Sequence, residues 1–261
     1  MRRRLLAGVT AAVVAITLGV FGPARPANAV VPYAQIAIAV AQYLFSRGGG
    51  ISAADLERAK REIIDAINAS RTEIIGQIDT IASAEVRACT DAATTKMLII
   101  DQMDPFTLAL FTNDAVNCAT LSSAYFDAVQ TKSAADTIGR LLGTIYSIAM
   151  VGYAKVGFPT ADLLDRLIRS YDAVVVKLAP DCCVVRTYSN PSPDGGAPLD
   201  QTIYYTYTAY NGDTGTTYAY YFHGQLKVAP DHTGASNEAT RNTSRATAQQ
   251  ALPTLRSLQA G

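Results

Sequence analysis

The stretch IYYTYTAYNGDTGTTYAYYF, residues 203–222, decides the fold class, because its pattern changes from the helical period of the preceding chain to an alternating one. β-branched and aromatic runs flank the turn-rich residues Asn211–Gly215, which is typical of a β-hairpin. Val184–Ser189 and Gln225–Ala229 have the composition of further strands, and Asn190–Pro198 is a loop rich in Pro, Gly and Ser. The sequence therefore predicts a small antiparallel sheet.

The position of the hairpin turn determines which side chains lie opposite each other. With a loop at Asn211–Gly215, Tyr205 faces Tyr221 on one side of the hairpin, and Tyr204 faces Phe222 on the other. Both faces are then aromatic.

The chain before the sheet, residues 30–180, carries helical signals instead. Ser-Ala-Ala-Asp occurs at Ser52–Asp55 and again at Ser133–Asp136, each time before an apolar-periodic run. A serine followed three residues later by an acid is a helix-start pattern, because both side chains bond free amides of the first turn. Thr160 with Asp162 indicates a third helix start.

Isoleucines at eleven-residue spacing predict one long amphipathic helix after Ser52. The run Glu62-Ile63-Ile64 returns as Glu73-Ile74-Ile75, and this spacing keeps one stripe straight along a helix. We expect Asp104-Pro105 to end it, because proline cannot donate to the helix ladder. Two interpretations stay open: the stripe belongs to the core of an antiparallel bundle, or it forms a homodimeric coiled coil.

Two further apolar segments complete the helical region. Pro32–Ser46 predicts a short apolar helix, and Arg47–Gly50 predicts a flexible joint after it. Leu141–Ala154 contains no charged residue, and it is either a buried core helix or a membrane-insertion element.

The expected fold class is α+β. Residues 30–180 should form an antiparallel bundle of four or five helices, one of them long. Residues 181–230 should form the small, tyrosine-rich sheet, packed on the bundle and linked to it by disulfides. We expect residues 231–261 to be a polar, disordered tail, because they contain few large apolar side chains.

Residues 1–29 have the three parts of a cleavable export signal. Arg2–Arg4 form a cationic start, Leu5–Gly22 is apolar, and Ala27-Asn28-Ala29 offers small residues to a signal peptidase. A retained anchor is the alternative, and the arginines also fit a loose twin-arginine pattern. The short start and the prolines favour the general secretory route. We therefore expect cleavage after Ala29 and a secreted, extracellular protein.

Removing residues 1–29 changes the charge of the chain. The whole sequence has 22 basic and 22 acidic residues, and the cleaved chain keeps 18 and 22 of them. Nucleic-acid binding requires a basic surface that displaces counterions from phosphate. We expect no nucleic-acid partner.

The four cysteines, Cys89, Cys118, Cys182 and Cys183, all lie in the exported part, where an even number is normally oxidised. If the chain reverses at Asp104-Pro105, Cys89 and Cys118 lie at matching heights on neighbouring helices. Either these two pair with each other and Cys182 pairs with Cys183, or both helix cysteines cross to the adjacent pair. We favour the crossed pairing, because disulfides between adjacent residues are strained, and it would place the sulfurs where the bundle meets the sheet.

The sequence offers no catalytic constellation. It contains two histidines, His223 and His232, neither at metal-ligand spacing, and it lacks the common hydrolase, metalloprotease, phosphate-loop and dinucleotide motifs. We therefore predict no catalytic residue, no metal and no cofactor.

Tyrosine is the unusual surface feature. Eight of the fourteen tyrosines lie between Tyr188 and Tyr221. They stabilise the sheet through cross-strand pairs, or they form a recognition surface for a protein or glycan partner, because tyrosine combines a rigid apolar ring with a hydrogen-bonding tip. The candidate residues of that surface are Tyr204, Tyr207, Tyr210, Tyr218 and Tyr220.

Three function classes follow. The first is a secreted protein that acts by binding rather than catalysis. The second is a membrane-active helical protein, for which the amphipathic and apolar helices are suited. The third is an extracellular hydrolase whose site carries no known motif.

Overall fold

A computed structural model describes residues 31–45, 53–74, 81–190 and 198–260. Helices and an antiparallel sheet make up these residues, so the predicted α+β class is confirmed. The predicted export signal at 1–29, the predicted glycine joint at 47–50 and the predicted helix start at Ser52 lie outside the described residues.

The described elements run in the order helices, sheet, helices. The bounds are α1 Val31–Phe45, α2 Ala53–Ile74, α3 Ile81–Met97, α4 Pro105–Ala128, α5 Lys132–Lys155, α6 Ala161–Lys177, β1 Asp181–Asn190, β2 Asp200–Thr208, β3 Thr214–Phe222, β4 Gln225–Val228, α7 His232–Ala239 and α8 Ser244–Gln259.

Capping residues explain where two of the helices begin. The Asp104 carboxylate accepts from the backbone amides of Phe106 and Thr107, at 3.0 and 3.1 Å, and Pro105 occupies the first turn of α4. The predicted interruption there is confirmed. Helix α5 begins two residues earlier than its serine suggested, because Thr131 rather than Ser133 caps it.

Helix α5 is the centre of the bundle. It packs against α1, α2, α3, α4, α6 and α8, and almost every side chain from Ala134 to Gly152 is buried. This explains the uncharged stretch at Leu141–Ala154, because a helix surrounded on all sides has no polar face. The interpretation as a buried core helix is confirmed.

The expected single long helix is wrong, because its two halves lie side by side. Lys60 of α2 forms an ion pair with Asp101, just after α3, although 41 residues separate them. A straight helix would place them about 60 Å apart at 1.5 Å per residue. The isoleucine stripe still faces the core where it is described, since Ile63 is fully buried.

The expected disorder at residues 231–261 is also wrong, because residues 232–239 and 244–259 form α7 and α8. Helix α8 packs on α1, α5 and α6. Its buried stripe consists of Ala248, Ala251, Leu252 and Leu255. Alanine lets helices approach closely, so few large apolar side chains are needed. Arg245, at the start of α8, donates to the carbonyl of Val175 over 3.1 Å.

The four strands form one antiparallel sheet in the order β1-β2-β3-β4. All four predicted strands are present. The expected hairpin register is wrong: Tyr204 lies opposite Tyr218 and Tyr205 opposite Thr217. The turn begins earlier, at Ala209, whose carbonyl accepts from Gly212 N at 3.0 Å. Gly212 has a φ of +84°, which glycine adopts without strain.

The four cysteines pair within the bundle and within β1, so the favoured crossed pairing is wrong. Cys89 of α3 bonds to Cys118 of α4, with their Cα atoms 5.8 Å apart, and Cys182 bonds to Cys183. The expected proximity of Cys89 and Cys118 is confirmed. The α3–α4 hairpin already brings these two sulfurs together, so among the described residues no disulfide links the bundle to the sheet.

Candidate functional site

Helix α7 packs on β2 and β3 at one face of the sheet. Gly215 lies so close to α7 that a Cβ atom there would come within 2.0 Å of the Ala235 carbonyl oxygen. The ring of His232, the first residue of α7, packs against Tyr205 at 4.9 Å between centroids. Its Nδ1 lies 3.0 Å from the hydroxyl oxygen of Tyr207. We call this side the covered face.

The opposite side, which we call the open face, has no helix over it among the residues that the structure describes. Strand register puts alternate residues of β1, β2 and β3 on this side. Its members are Val184, Arg186, Tyr188, Thr202, Tyr204, Thr206, Thr216, Tyr218 and Tyr220.

Three tyrosines form a ladder across the open face. Tyr188, Tyr204 and Tyr218 lie side by side on β1, β2 and β3, with ring centroids 5.7 and 5.8 Å apart. The first pair of rings meets at 86° and the second at 42°. The side chains are 59, 38 and 45% exposed, respectively. Apolar ring surface and hydroxyl tips are therefore both accessible to a partner.

Arg186 and three threonines surround the tyrosine ladder. Arg186 is opposite Tyr204, and its guanidinium has no hydrogen-bond or ion-pair partner in the part of the chain that the structure describes. The hydroxyl groups of Thr206 and Thr216 form a hydrogen bond, with their Oγ1 atoms 3.1 Å apart. Together with Val184 and Thr202 these residues line a shallow depression of ≈ 540 Å³. The depression offers one positive charge, hydroxyl groups and aromatic surface.

The five candidate tyrosines do not all share this surface. Tyr204, Tyr218 and the half-buried Tyr220 lie on the open face. Tyr207 lies on the covered face against His232. Tyr210 leaves the sheet after β2, and its hydroxyl donates to the buried Asp136 of α5 over 2.8 Å.

Tyr188 and Arg186 also belong to this surface, although they are not among the residues predicted from the sequence. Both are on β1, and their neighbourhood depends on how β1 pairs with β2. The available signal was the alternation within Val184–Ser189, which puts Val184, Arg186 and Tyr188 on one side of the strand.

The histidines have structural neighbours. His223 adopts a φ of 48° in the turn between β3 and β4, and its ring packs against Phe222 at 4.3 Å between centroids. His232 packs against Tyr205 and Tyr207. Over the described ranges, no three His, Cys, Asp or Glu side chains are grouped closely enough to hold a metal ion.

One end of the bundle exposes large apolar side chains. The ion pair between Lys155 and Asp101 places the end of α5 beside the α3–α4 connection. Phe106 is 72% exposed there. The exposed apolar residues around these two connections, which we call the apolar end, are Leu98, Ile99, Phe106, Leu110 and Phe158. Within the described chain, no helix has the length and apolarity required to cross a bilayer.

Comparison with known proteins gives no relative for this chain: no family model, no curated protein and no solved structure matches it. The chemistry of the open face and of the apolar end is therefore the basis for a function.

Proposed function

We propose that this chain is a secreted, non-catalytic binding protein whose open face recognises a protein partner. The observation that carries the proposal is the ladder of Tyr188, Tyr204 and Tyr218, exposed on one face of the sheet while α7 packs on the other. The export signal at residues 1–29 supports an extracellular partner.

The residue types on the open face favour a protein partner over a glycan. Tyrosine and arginine dominate binding energy at protein interfaces, because they combine large contact area with directional hydrogen bonds. The tyrosine rings are inclined to one another by 86 and 42°, so they form ridges rather than one flat plate. Ridges suit side chains that insert between them.

Site-specific photo-crosslinking tests the proposal. A photoreactive phenylalanine analogue replaces Tyr188, and the protein is incubated in the medium and at the surface of the cells that secrete it. We expect a discrete adduct whose mass identifies a protein. The same analogue at Phe106, at the apolar end, is the control and should not give that adduct. Absence of an adduct at Tyr188, or equal adducts at both positions, would contradict the proposal, and a carbohydrate adduct would assign a glycan instead.

A second candidate function, contact with a membrane surface, is favoured by the apolar end. Exposed apolar clusters of this kind mark interaction sites, and single side chains such as Phe106 and Leu110 can enter the acyl boundary of a bilayer. The nearby Lys60 and Lys155 are both paired with Asp101, so the attraction would be apolar rather than electrostatic.

Sedimentation with phosphatidylcholine vesicles tests this second candidate. Phe106→Ser combined with Leu110→Ser should lower the partition coefficient about tenfold or more, because each buried apolar side chain contributes roughly 1.5–3 kcal/mol. Leu121→Ser, an exposed position further along α4, is the matched control and should bind like the wild type. The candidate is rejected if the wild type does not sediment, or if Leu121→Ser causes the same loss.

A further inference from the structure

A groove between α4 and α6 is lined by residues that the open face does not use. Both helices pack on α5, and the space between them, ≈ 290 Å³, lies over Tyr146 of α5. We call it the α4–α6 groove. Its polar lining residues are Thr120, Ser123 and Asp127 from α4, Tyr146 from α5, and Arg166, Arg169 and Ser170 from α6.

Three hydroxyl groups form a chain at the floor of the groove. The hydroxyl oxygen of Tyr146 lies 2.8 Å from Ser123 Oγ, which lies 2.8 Å from Ser170 Oγ. Ser170 Oγ also donates to the carbonyl of Arg166 over 2.9 Å. One arrangement satisfies all three contacts: Tyr146 donates to Ser123, Ser123 to Ser170, and Ser170 to the carbonyl. Each proton is then used within the protein, so the hydroxyl oxygens offer lone pairs to a ligand.

The charged residues of the groove leave it positive. Arg166 and Arg169 are exposed and lie one turn apart on α6, so both reach the same rim. Neither guanidinium has a hydrogen-bond or ion-pair partner among the residues that the structure describes. Asp127 lines the α4 side, so two positive charges stand against one negative charge.

We propose that the α4–α6 groove binds a small hydroxylated anion. Its carboxylate or phosphate would contact Arg166 and Arg169, because a planar guanidinium offers paired N–H donors that match two anionic oxygens. Its hydroxyl groups would donate to the lone pairs of the Tyr146–Ser123–Ser170 chain. The volume lies just below the roughly 300–1,000 Å³ of typical small-molecule pockets, which limits the ligand to about the size of a sugar acid or sugar phosphate.

Calorimetric titration with three probes tests this site. Glucose 6-phosphate carries a phosphate and glucuronate carries a carboxylate, which are the two candidate anionic groups. Glucose carries the hydroxyl groups without a charge. We expect at least one acid to bind with a Kd of about 1 mM or lower, and glucose to bind about tenfold more weakly or not at all. The acid that binds more tightly identifies the anionic group, phosphate or carboxylate, that the groove prefers. Failure of both acids to bind at about 10 mM, or equal binding of glucose, overturns the proposal.

Substitutions on α6 provide the second measurement. Arg166→Gln and Arg169→Gln should each weaken binding about tenfold or more, because each removes a charge-assisted hydrogen bond. Arg61→Gln removes the same charge from an exposed position on α2 and is the matched control. An equal loss in Arg61→Gln would mean that net charge alone is responsible and would overturn the site. Tyr204→Ala should leave this binding unchanged, which separates the groove from the open face.

Discussion

The phenol of Tyr210 donates a hydrogen bond to the buried carboxylate of Asp136 over 2.8 Å, and this contact ties the hairpin turn to the central helix. The same carboxylate accepts from Arg140 Nε at 3.0 Å and from the backbone amide of Ser244, at the start of α8. One buried acid therefore joins the sheet, α5 and α8. With α7 packed on the covered face, this contact fixes the open face relative to the bundle.

Removal of the Tyr210 hydroxyl should destabilise the protein. We expect Tyr210→Phe to lower the free energy of unfolding by about 1–3 kcal/mol, because a buried carboxylate loses one of its donors. The measurement is chemical denaturation followed by circular dichroism. Tyr207→Phe is the control: it loses a hydroxyl contact with the exposed His232 and should cost under about 1 kcal/mol. Equal losses in the free energy of unfolding for the two variants would contradict a larger contribution from the contact with Asp136.

The C-terminal helices should be required for folding. A chain that ends at Pro230 lacks the buried stripe of α8, and we expect it to show no cooperative thermal transition. A milder change, Leu255→Ala, should cost about 2–5 kcal/mol, because it leaves a cavity at a fully buried position. Leu258→Ala, at a half-buried position on the same helix, should cost less. A shortened chain with an unchanged melting temperature would contradict the role of α8 in the core.

The two disulfides should differ in their effect on stability. Cys89→Ala with Cys118→Ala opens a link across 29 residues and should cost about 3–4 kcal/mol by the loop-entropy relation. Cys182→Ala with Cys183→Ala removes a link between adjacent residues, which hardly restricts the unfolded chain, and should cost under about 1 kcal/mol. Mass mapping provides an independent check, because any peptide that links Cys89 or Cys118 to β1 would contradict this pairing.

Asp101 should make stability depend on acid pH. Hydrogen bonds from Lys155 and Lys60 hold the pKa of this carboxyl below its usual value of 3.8. Because this pKa is lower in the folded than in the unfolded protein, the ionised carboxylate stabilises the folded state above about pH 4. This contribution is lost as the pH falls through the folded-state pKa. Because the side chain is 42% exposed, we expect about 1 kcal/mol or less.

Denaturation of Asp101→Asn at several pH values measures this contribution. The free energies of unfolding of wild type and variant should differ at pH 6 and converge as the pH falls through the folded-state pKa of Asp101, which lies below 3.8. Asp91→Asn, whose carboxylate lies 3.8 Å from Arg87 at the surface, is the control and should show a smaller difference at pH 6. A difference between wild type and Asp101→Asn that is constant with pH would contradict the assignment.

The sequence could predict the elements better than their arrangement. Local signals such as Asp104-Pro105 and the β-branched runs around Asn211 act within a few residues, so element type and several boundaries follow from them. The eleven-residue isoleucine stripe shows which side of a helix is buried, but it does not show that α2 and α3 lie side by side. The α8 stripe was missed because alanines supply half of it, and its packing depends on helices far away in sequence.

The candidate site was partly predictable for the same reason. Alternation puts Tyr204 and Tyr218 on one side of the hairpin in both the expected and the observed register, because the two registers differ by an even number of residues. Tyr210 was misassigned because its partner, Asp136, lies 74 residues earlier in the chain. Tyr188 was missed because its position depends on the pairing of β1 with β2.

The affinity of the crosslinked partner for two variants tests the role of the open face most directly. Tyr204→Ala combined with Tyr218→Ala should weaken binding about 30-fold or more, because central tyrosines of an interface typically contribute about 2 kcal/mol or more. Phe106→Ala, which removes an exposed aromatic ring at the apolar end, should bind within about threefold of the wild type. Unchanged affinity in the tyrosine double variant, with both proteins folded by circular dichroism, would contradict the proposal that the open face is the recognition surface.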